Sequence, residues 1–189
     1  MTLSELIQEI HSLNSTEQLY KTYQELKYSP LQLKKFLNTL DIDLLTKHQL
    51  IIPEIPDTFP PSIKEDFYYI DSPTGISIEK HNCYTPKFSH WHSFFEAFYI
   101  YEGSCELDIE GTQYTLITGD FFIIPPGIEH ATAVHGQSIV IVIALNRSSL
   151  ENTFSNPVYH RKRSPDIKYT STSFLIFIKK GVLSLQCIH

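Results

Sequence analysis

HWHSFFEAFYIYEG, residues 90–103, gathers two histidines two positions apart, a glutamate four further on, and an aromatic run that closes on glycine. On an extended chain His90 and His92 face the same side, about 6–7 Å apart, so both imidazoles can reach one point. A straight strand would carry Glu96 about 13 Å beyond His92, too far to share an ion that its ligands hold at about 2 Å. The chain must therefore turn at Ser93-Phe94-Phe95 for the carboxylate to come back beside the imidazoles. Trp91, between the histidines, is expected on the opposite face. His130 is a fourth candidate, placed after the Pro-Pro-Gly turn of GDFFIIPPGIEH. Such a group suits a metal centre or a pocket that hydrogen-bonds a polar small molecule; burial for packing alone is the third reading.

Outward from this run, short segments with turn punctuation follow one another from Phe67: FYYID, GISIEKHNCY, FSHWH, EAFYIYEG, CELDIEGTQYTLITGD, FFIIPPG, IEHATAV and SIVIVIAL. In CELDI, Cys105, Leu107 and Ile109 alternate with Glu106, Asp108 and Glu110, the pattern of a half-buried strand. Glu110-Gly111 then marks a hairpin before TQYTL. Many short strands without helices between them indicate a mainly β chain folded as a jelly roll over residues 67–146.

Ahead of it, residues 1–50 read as a collar of short helices. Leu3, Leu6, Ile7 and Ile10 follow helical spacing. Ser15 with Gln18 reads as the capping box of a second helix ending near Lys27. Ser29-Pro30 opens a third, with proline at the first helical position. The latter two could form a helix-turn-helix, but they offer DNA little beyond Lys34 and Lys35. An amphipathic face explains Leu33, Phe36, Leu37 and Leu40 equally well. Residues 51–66 are a proline-rich connector. Residues 147–189 begin as a helix, NRSSLENTF, and continue as a divergent tail in which FLIFIKKGVLSLQCIH is at most a strand pair.

The 189 residues allow one domain with a sizeable core, and a hydrophobic share of 42% excludes a largely disordered chain. A net charge of -6 argues against a general nucleic-acid binder, although residues 157–189 hold six Lys and Arg against Asp166 alone. Three cysteines without CxxC spacing give neither a disulfide framework nor a zinc knuckle. The first residues lack the pattern of a secretory signal, and no apolar run approaches the roughly 20 residues of a membrane helix, so the expected location is the cytoplasm.

The histidine run resembles the cupin superfamily. That family's first motif is HxH, then a glutamate after three or four intervening residues and a glycine after six more, which His90, His92, Glu96 and Gly103 fit. Its second motif is matched by Gly119, Pro125, Gly127 and His130. Two positions depart: Tyr84 stands where a glycine is expected, and Val134 where an asparagine is expected. The resemblance implies a cupin-type jelly-roll β-barrel with a short helical N-terminal region. It also implies a divalent metal (iron, manganese, zinc or nickel) held by His90, His92, Glu96 and His130. Gly103, Gly119 and Gly127 are read as turn residues needing positive φ, with Pro125 stiffening the approach to His130. His81, His135, His160 and His189 match no motif and are read as surface or tail histidines.

A narrower resemblance runs from His90 to His130 and on through SIVIVIALNRSSLENTF, to the amino-terminal sensor of AraC-type transcription regulators. In complete members a DNA-binding helix-turn-helix module of roughly 100 residues follows. Only 43 residues follow Asn146, so that module is expected to be missing, in a chain that is truncated or frame-shifted. The implied function is sensing: a small-molecule effector such as a sugar bound by His90, His92, Glu96 and His130, homodimer formation, and no contact with DNA or membrane by this chain itself. A pure sensor requires no cofactor. The alternative is a stand-alone metal-dependent enzyme, a dioxygenase or isomerase, which the helical collar and the tail make less apt than a regulator.

Overall fold

The computed structural model describes residues 2–56, 62–63, 74–146, 173–179 and 182–188. Four helices lead: α1 (Leu3–His11), α2 (Ser15–Leu26), α3 (Pro30–Leu37) and α4 (Ile42–Lys47). The capping of α2 lies one residue earlier than its sequence suggests. Asn14, not Ser15, is the N-cap, accepting from the Glu17 amide at 2.9 Å while Glu17 accepts from the Asn14 amide at 2.9 Å. At α3, Ser29 makes no side-chain cap bond, although Pro30 does occupy the first helical position. Leu33, Phe36, Leu37 and Leu40 turn inward onto buried Tyr20, Tyr23, Leu45 and Ile52, so the apolar face of α3 is spent on the collar's own core.

The strands are β1 (Ser62–Ile63), β2 (Ile76–Lys80), β3 (Trp91–His92), β4 (Phe95–Glu102), β5 (Ser104–Ile109), β6 (Thr112–Ile117), β7 (Phe121–Ile124), β8 (His130–Val134), β9 (Ile139–Leu145), β10 (Ser173–Lys179) and β11 (Val182–Ile188). They form a six-stranded sheet in the order β11-β10-β7-β4-β9-β2, a three-stranded sheet in the order β6-β5-β8, and the parallel pair β1-β3. The six-stranded sheet is antiparallel at each pairing. This is the mainly β, cupin-type jelly roll with a short helical N-terminal region that the sequence indicates.

Period-two alternation decides what fills it. Phe98, Ile100, Phe122, Ile124, Val140 and Val142 point in from the large sheet, and Cys105, Leu107, Ile109 and Val134 from the small one. Truncating a side chain such as Phe98, 1% exposed, to alanine costs about 3–5 kcal/mol. Glu110 and Gly111, both at positive φ, close the β5–β6 hairpin. At Gly103, φ is +83° and an added Cβ would collide with the Ser138 side chain, so glycine is required twice over.

The tail strand pair joins the body. β10 lies antiparallel to β7, with Phe177 opposite Phe122. The strand expected at FYYID, the helix start at NRSSLENTF and much of the connector at 51–66 fall outside the described residues. Among the described residues, no helix is long and apolar enough to cross a membrane.

Among the described residues, Glu17 and Tyr84 are two of the points where collar and barrel meet. Glu17 of α2 is fully buried, bonded to Lys80 at 2.9 Å and to the Cys83 amide at 3.0 Å. Tyr84 packs against both the barrel core and the collar core. Its φ is +62°, a left-handed conformation that is uncommon for a residue with a Cβ. This is the position where the cupin motif has glycine. Its amide donates to the carbonyl of Val134 at 3.0 Å, so the two departures from the motif touch each other.

Candidate metal centre and adjoining cavity

β3 ends at His92, the chain bends through Ser93-Phe94, and β4 starts at Phe95. That bend brings Glu96 back beside the histidines. His130 arrives from the other side: His90 and His130 exchange both backbone hydrogen bonds, each at 2.9 Å. Gly127 donates to the His92 carbonyl at 2.8 Å, so the turn before His130 is stitched to the strand that carries the first pair. Trp91 points away and is 44% exposed.

All four side chains are buried: His90 at 7%, His92 at 0%, Glu96 at 5% and His130 at 1%. His130 Nε2 lies 3.2 Å and His92 Nε2 lies 3.3 Å from Glu96 Oε2. Potential ligand atoms of His90, Glu96 and His130 lie within 4.8 Å of one another. The rings of His90 and His92 are further apart, with centroids at 6.4 Å.

The backbone fixes what those rings present. His92 Nδ1 is 2.6 Å from the Phe94 carbonyl, His130 Nδ1 is 2.9 Å from the Ile128 carbonyl, and His90 Nδ1 is 3.5 Å from the Phe88 carbonyl. A carbonyl only accepts, so the short contacts at His92 and His130 put the proton on Nδ1, and in a neutral ring Nε2 is left as a bare lone pair. Tying the second ring nitrogen in this way is how proteins orient metal-ligating histidines. His92 Nε2, His130 Nε2 and Glu96 Oε2 are buried and make no aligned hydrogen bond, despite their closeness. Lone pairs crowd a carboxylate oxygen there, an arrangement that calls for a positive charge between them.

Electrostatics describe the complementary case, in which the two rings turn N–H toward Glu96 and so supply the positive end themselves. Burial alone would raise the Glu96 carboxyl, yet the His130 and His92 imidazoles outweigh it and hold the group well below the ordinary carboxylate range. Burial and then the neighbouring His130 push His90 down to about 3, so its ring is neutral at pH 7. Three imidazole nitrogens and one carboxylate oxygen fit a divalent transition metal of the iron, manganese, nickel or zinc type. Of these, His90, Glu96 and His130 place their ligand atoms close enough together to hold such an ion.

A cavity of about 190 Å³ opens beside the cluster, with His90 and Glu96 in its wall. Two features of it are not evident from motifs. His81 lines it, although it matches no motif. The strand register carries the missed signal: Ser77 and Glu79 sit opposite inward-facing Ala144 and Val142, and alternation puts His81 on the same face. The collar also supplies wall, through Tyr20, His48, Gln49, Leu50 and Ile51. His135, by contrast, is an exposed residue 3.4 Å from Glu106. Cys83 and Cys105 are buried, free, and pushed up to about 12 by burial, which keeps both thiols protonated.

The family model described as "Cupin domain" matches residues 77–146. None of the curated proteins matches the chain in sequence. Among solved structures, a cupin-2 domain containing protein from Shewanella frigidimarina is 26% identical over 38% of this chain and 69% of its own, with a TM-score of 0.32. KdgF from Halomonas sp. is 27% identical over 42% of this chain and 87% of its own, with a TM-score of 0.29. The Cnp3 cupin domain from Schizosaccharomyces pombe is 17% identical over 42% of this chain and 59% of its own, with a TM-score of 0.34.

Proposed function

We propose that this cupin domain binds a divalent metal ion through His90, His92, Glu96 and His130, and that the metal anchors a small polar effector in the adjoining cavity. The observation that carries this reading is the trio of buried, unaligned atoms: His92 Nε2, Glu96 Oε2 and His130 Nε2. Iron, manganese, zinc or nickel held there would supply Lewis acidity toward an oxygen of the bound molecule. The chain's own groups do the rest. The carbonyls of Phe94 and Ile128 keep the Nδ1 protons of His92 and His130 and so aim both Nε2 atoms. Phe94, fully buried, stacks on His92 at 4.4 Å and keeps water from that side.

The role that fits this chain best is effector sensing, as in the amino-terminal domain of AraC-type regulators. Its support is the motif pair at His90–Gly103 and Gly119–His130 together with the helical collar. Effector binding would act on an attached module or on a second copy through differential affinity for two states. DNA contact would be left to a helix-turn-helix module, and the setting would be the cytoplasm.

A second reading, a metal-dependent dioxygenase or isomerase, draws on the same unaligned atoms, because a sensor can bind its effector without an open metal position. One experiment tests both. The chain is purified without chelators, metal per chain is measured, and metabolites, sugars among them, are screened by thermal shift and for turnover. Stoichiometric metal with effector stabilisation and no turnover is expected. Turnover displaces the sensor reading, and a chain that takes up no divalent metal overturns the metal centre.

A further inference from the structure

The cavity beside the cluster is not walled by the barrel alone. Tyr20 of α2 and His48, just past α4, line it together with His81 and Thr132. Tyr20 is 2% exposed, and its hydroxyl oxygen accepts from the Ile51 amide at 2.9 Å. Among the described residues, the Tyr20 proton itself has no acceptor, so a buried donor faces the cavity. His81 Nδ1 is 2.8 Å from the Asn82 carbonyl, which places the proton on Nδ1 and leaves Nε2 as an acceptor. Burial also lowers the His81 pKa, keeping that ring neutral at pH 7.

Of the three charged side chains lining the cavity, Glu96 belongs to the candidate metal cluster, and the other two are engaged elsewhere. Lys80 is bound to Glu17 at 2.9 Å, and Glu79 accepts from the Ser77 hydroxyl at 2.9 Å. Recognition here is therefore by neutral donors and acceptors rather than by ion pairing. The space is small. A volume of about 190 Å³ lies below the roughly 300–1,000 Å³ of pockets that hold drug-sized ligands.

We propose that the collar is part of the binding site: Tyr20, His48 and His81 form a hydroxyl-recognising wall in the cavity that His90 and Glu96 also line, and this wall selects a small, neutral, polyhydroxylated metabolite. The inference deepens the reading above and rests on it only for the metal end of the ligand. Tyr20 donates to one ligand hydroxyl, His81 Nε2 accepts from another, and a ligand lacking those hydroxyls leaves the buried Tyr20 hydroxyl and the half-buried His81 ring without partners. Discrimination against such analogues is steep for that reason.

The test uses the full chain, both metal-loaded and chelator-stripped, with erythritol and xylitol as hydroxylated probes. The controls are 1,4-butanediol and 1,5-pentanediol, which lack the internal hydroxyls, and glutarate as the anionic arm. Titration calorimetry and thermal shift read binding, and metal content is measured on the same samples. The polyols are expected to bind and the diols and glutarate to bind at least tenfold more weakly. Tyr20→Phe and His81→Leu should each weaken polyol binding about tenfold with metal content unchanged.

Tyr20→Phe also deprives the Ile51 amide of its acceptor, so His81→Leu, in the chain just after β2, decides the matter if the first variant does not fold. Equal binding of polyols and diols, stronger binding of glutarate, or variants that keep the polyol preference would each overturn the proposal. A polyol preference in a chain that takes up no metal would sink the metal centre and keep this wall; metal uptake without any polyol preference would do the reverse.

Discussion

Two buried carboxylates, one on each side of the collar–barrel junction, meet opposite fates. Glu17 is 0% exposed and Glu96 is 5% exposed, so burial works against the charge on each. Every group facing Glu17 brings a hydrogen: the Cys83 amide at 3.0 Å, the Asn14 amide at 2.9 Å and the Lys80 ammonium at 2.9 Å. The groups facing Glu96 Oε2 bring lone pairs, because backbone carbonyls have taken the Nδ1 protons of His92 and His130. A satisfied buried carboxylate is architecture. One surrounded by acceptors marks a place where a cation is to be supplied.

The contrast can be broken from either side. The largest effect is expected at Glu17. Glu17→Ala leaves Lys80, whose side chain is 16% exposed, and the Cys83 amide without their acceptor. A loss of about 3 kcal/mol in urea unfolding follows, while metal content stays at the wild-type level. Glu96→Gln keeps the shape and removes the charge. Metal affinity in a chelator competition should fall about 100-fold or more, with urea stability of the metal-free chain held or raised.

Acid sharpens the comparison further. The folded-state pKa of Glu17 is lowered, by the Cys83 amide, then Lys80, then the Asn14 amide, all against burial. Its contribution is therefore complete above the ordinary value of 4.5 and is lost as pH falls from there through the folded value. Unfolding midpoints of wild type and Glu17→Gln, measured from pH 7 to pH 3, should converge at the acid end. A gap that stays constant would mean that Glu17 acts through packing alone.

The smallest effect concerns Tyr84. At φ +62° a Cβ is strained, so Tyr84→Gly should be more stable than Tyr84→Ala by about 1 kcal/mol, the reverse of the order found at ordinary positions. Equal stabilities would show that this backbone relaxes when the ring is gone.

Much of the geometry of the candidate metal site was legible because it is local. HxH spacing puts two rings on one side of a strand, and the need for a bend before Glu96 follows from the strand rise alone; the bend lies at Ser93-Phe94, where β3 gives way to β4. The barrel's alternation was equally plain in CELDI and its hairpin. What stayed hidden depends on contacts distant in sequence. The cap of α2 was displaced to Asn14 and Glu17, and Glu17 is also the residue that reaches Lys80, 63 positions away. No spacing rule connects Tyr20 or His48 with Glu96, and His81 declares itself only once the β2–β9 register is known. The tail's basic composition concealed its strand pair's place beside β7.

Tyr84 belongs to two apolar clusters at once, one inside the barrel and one under the helices. With Glu17 binding across the same seam, the collar cannot melt ahead of the sheets without exposing a ring that the sheets also hold. Heating should therefore yield one calorimetric peak rather than two. Replacing that ring by a smaller side chain is the change that would split it.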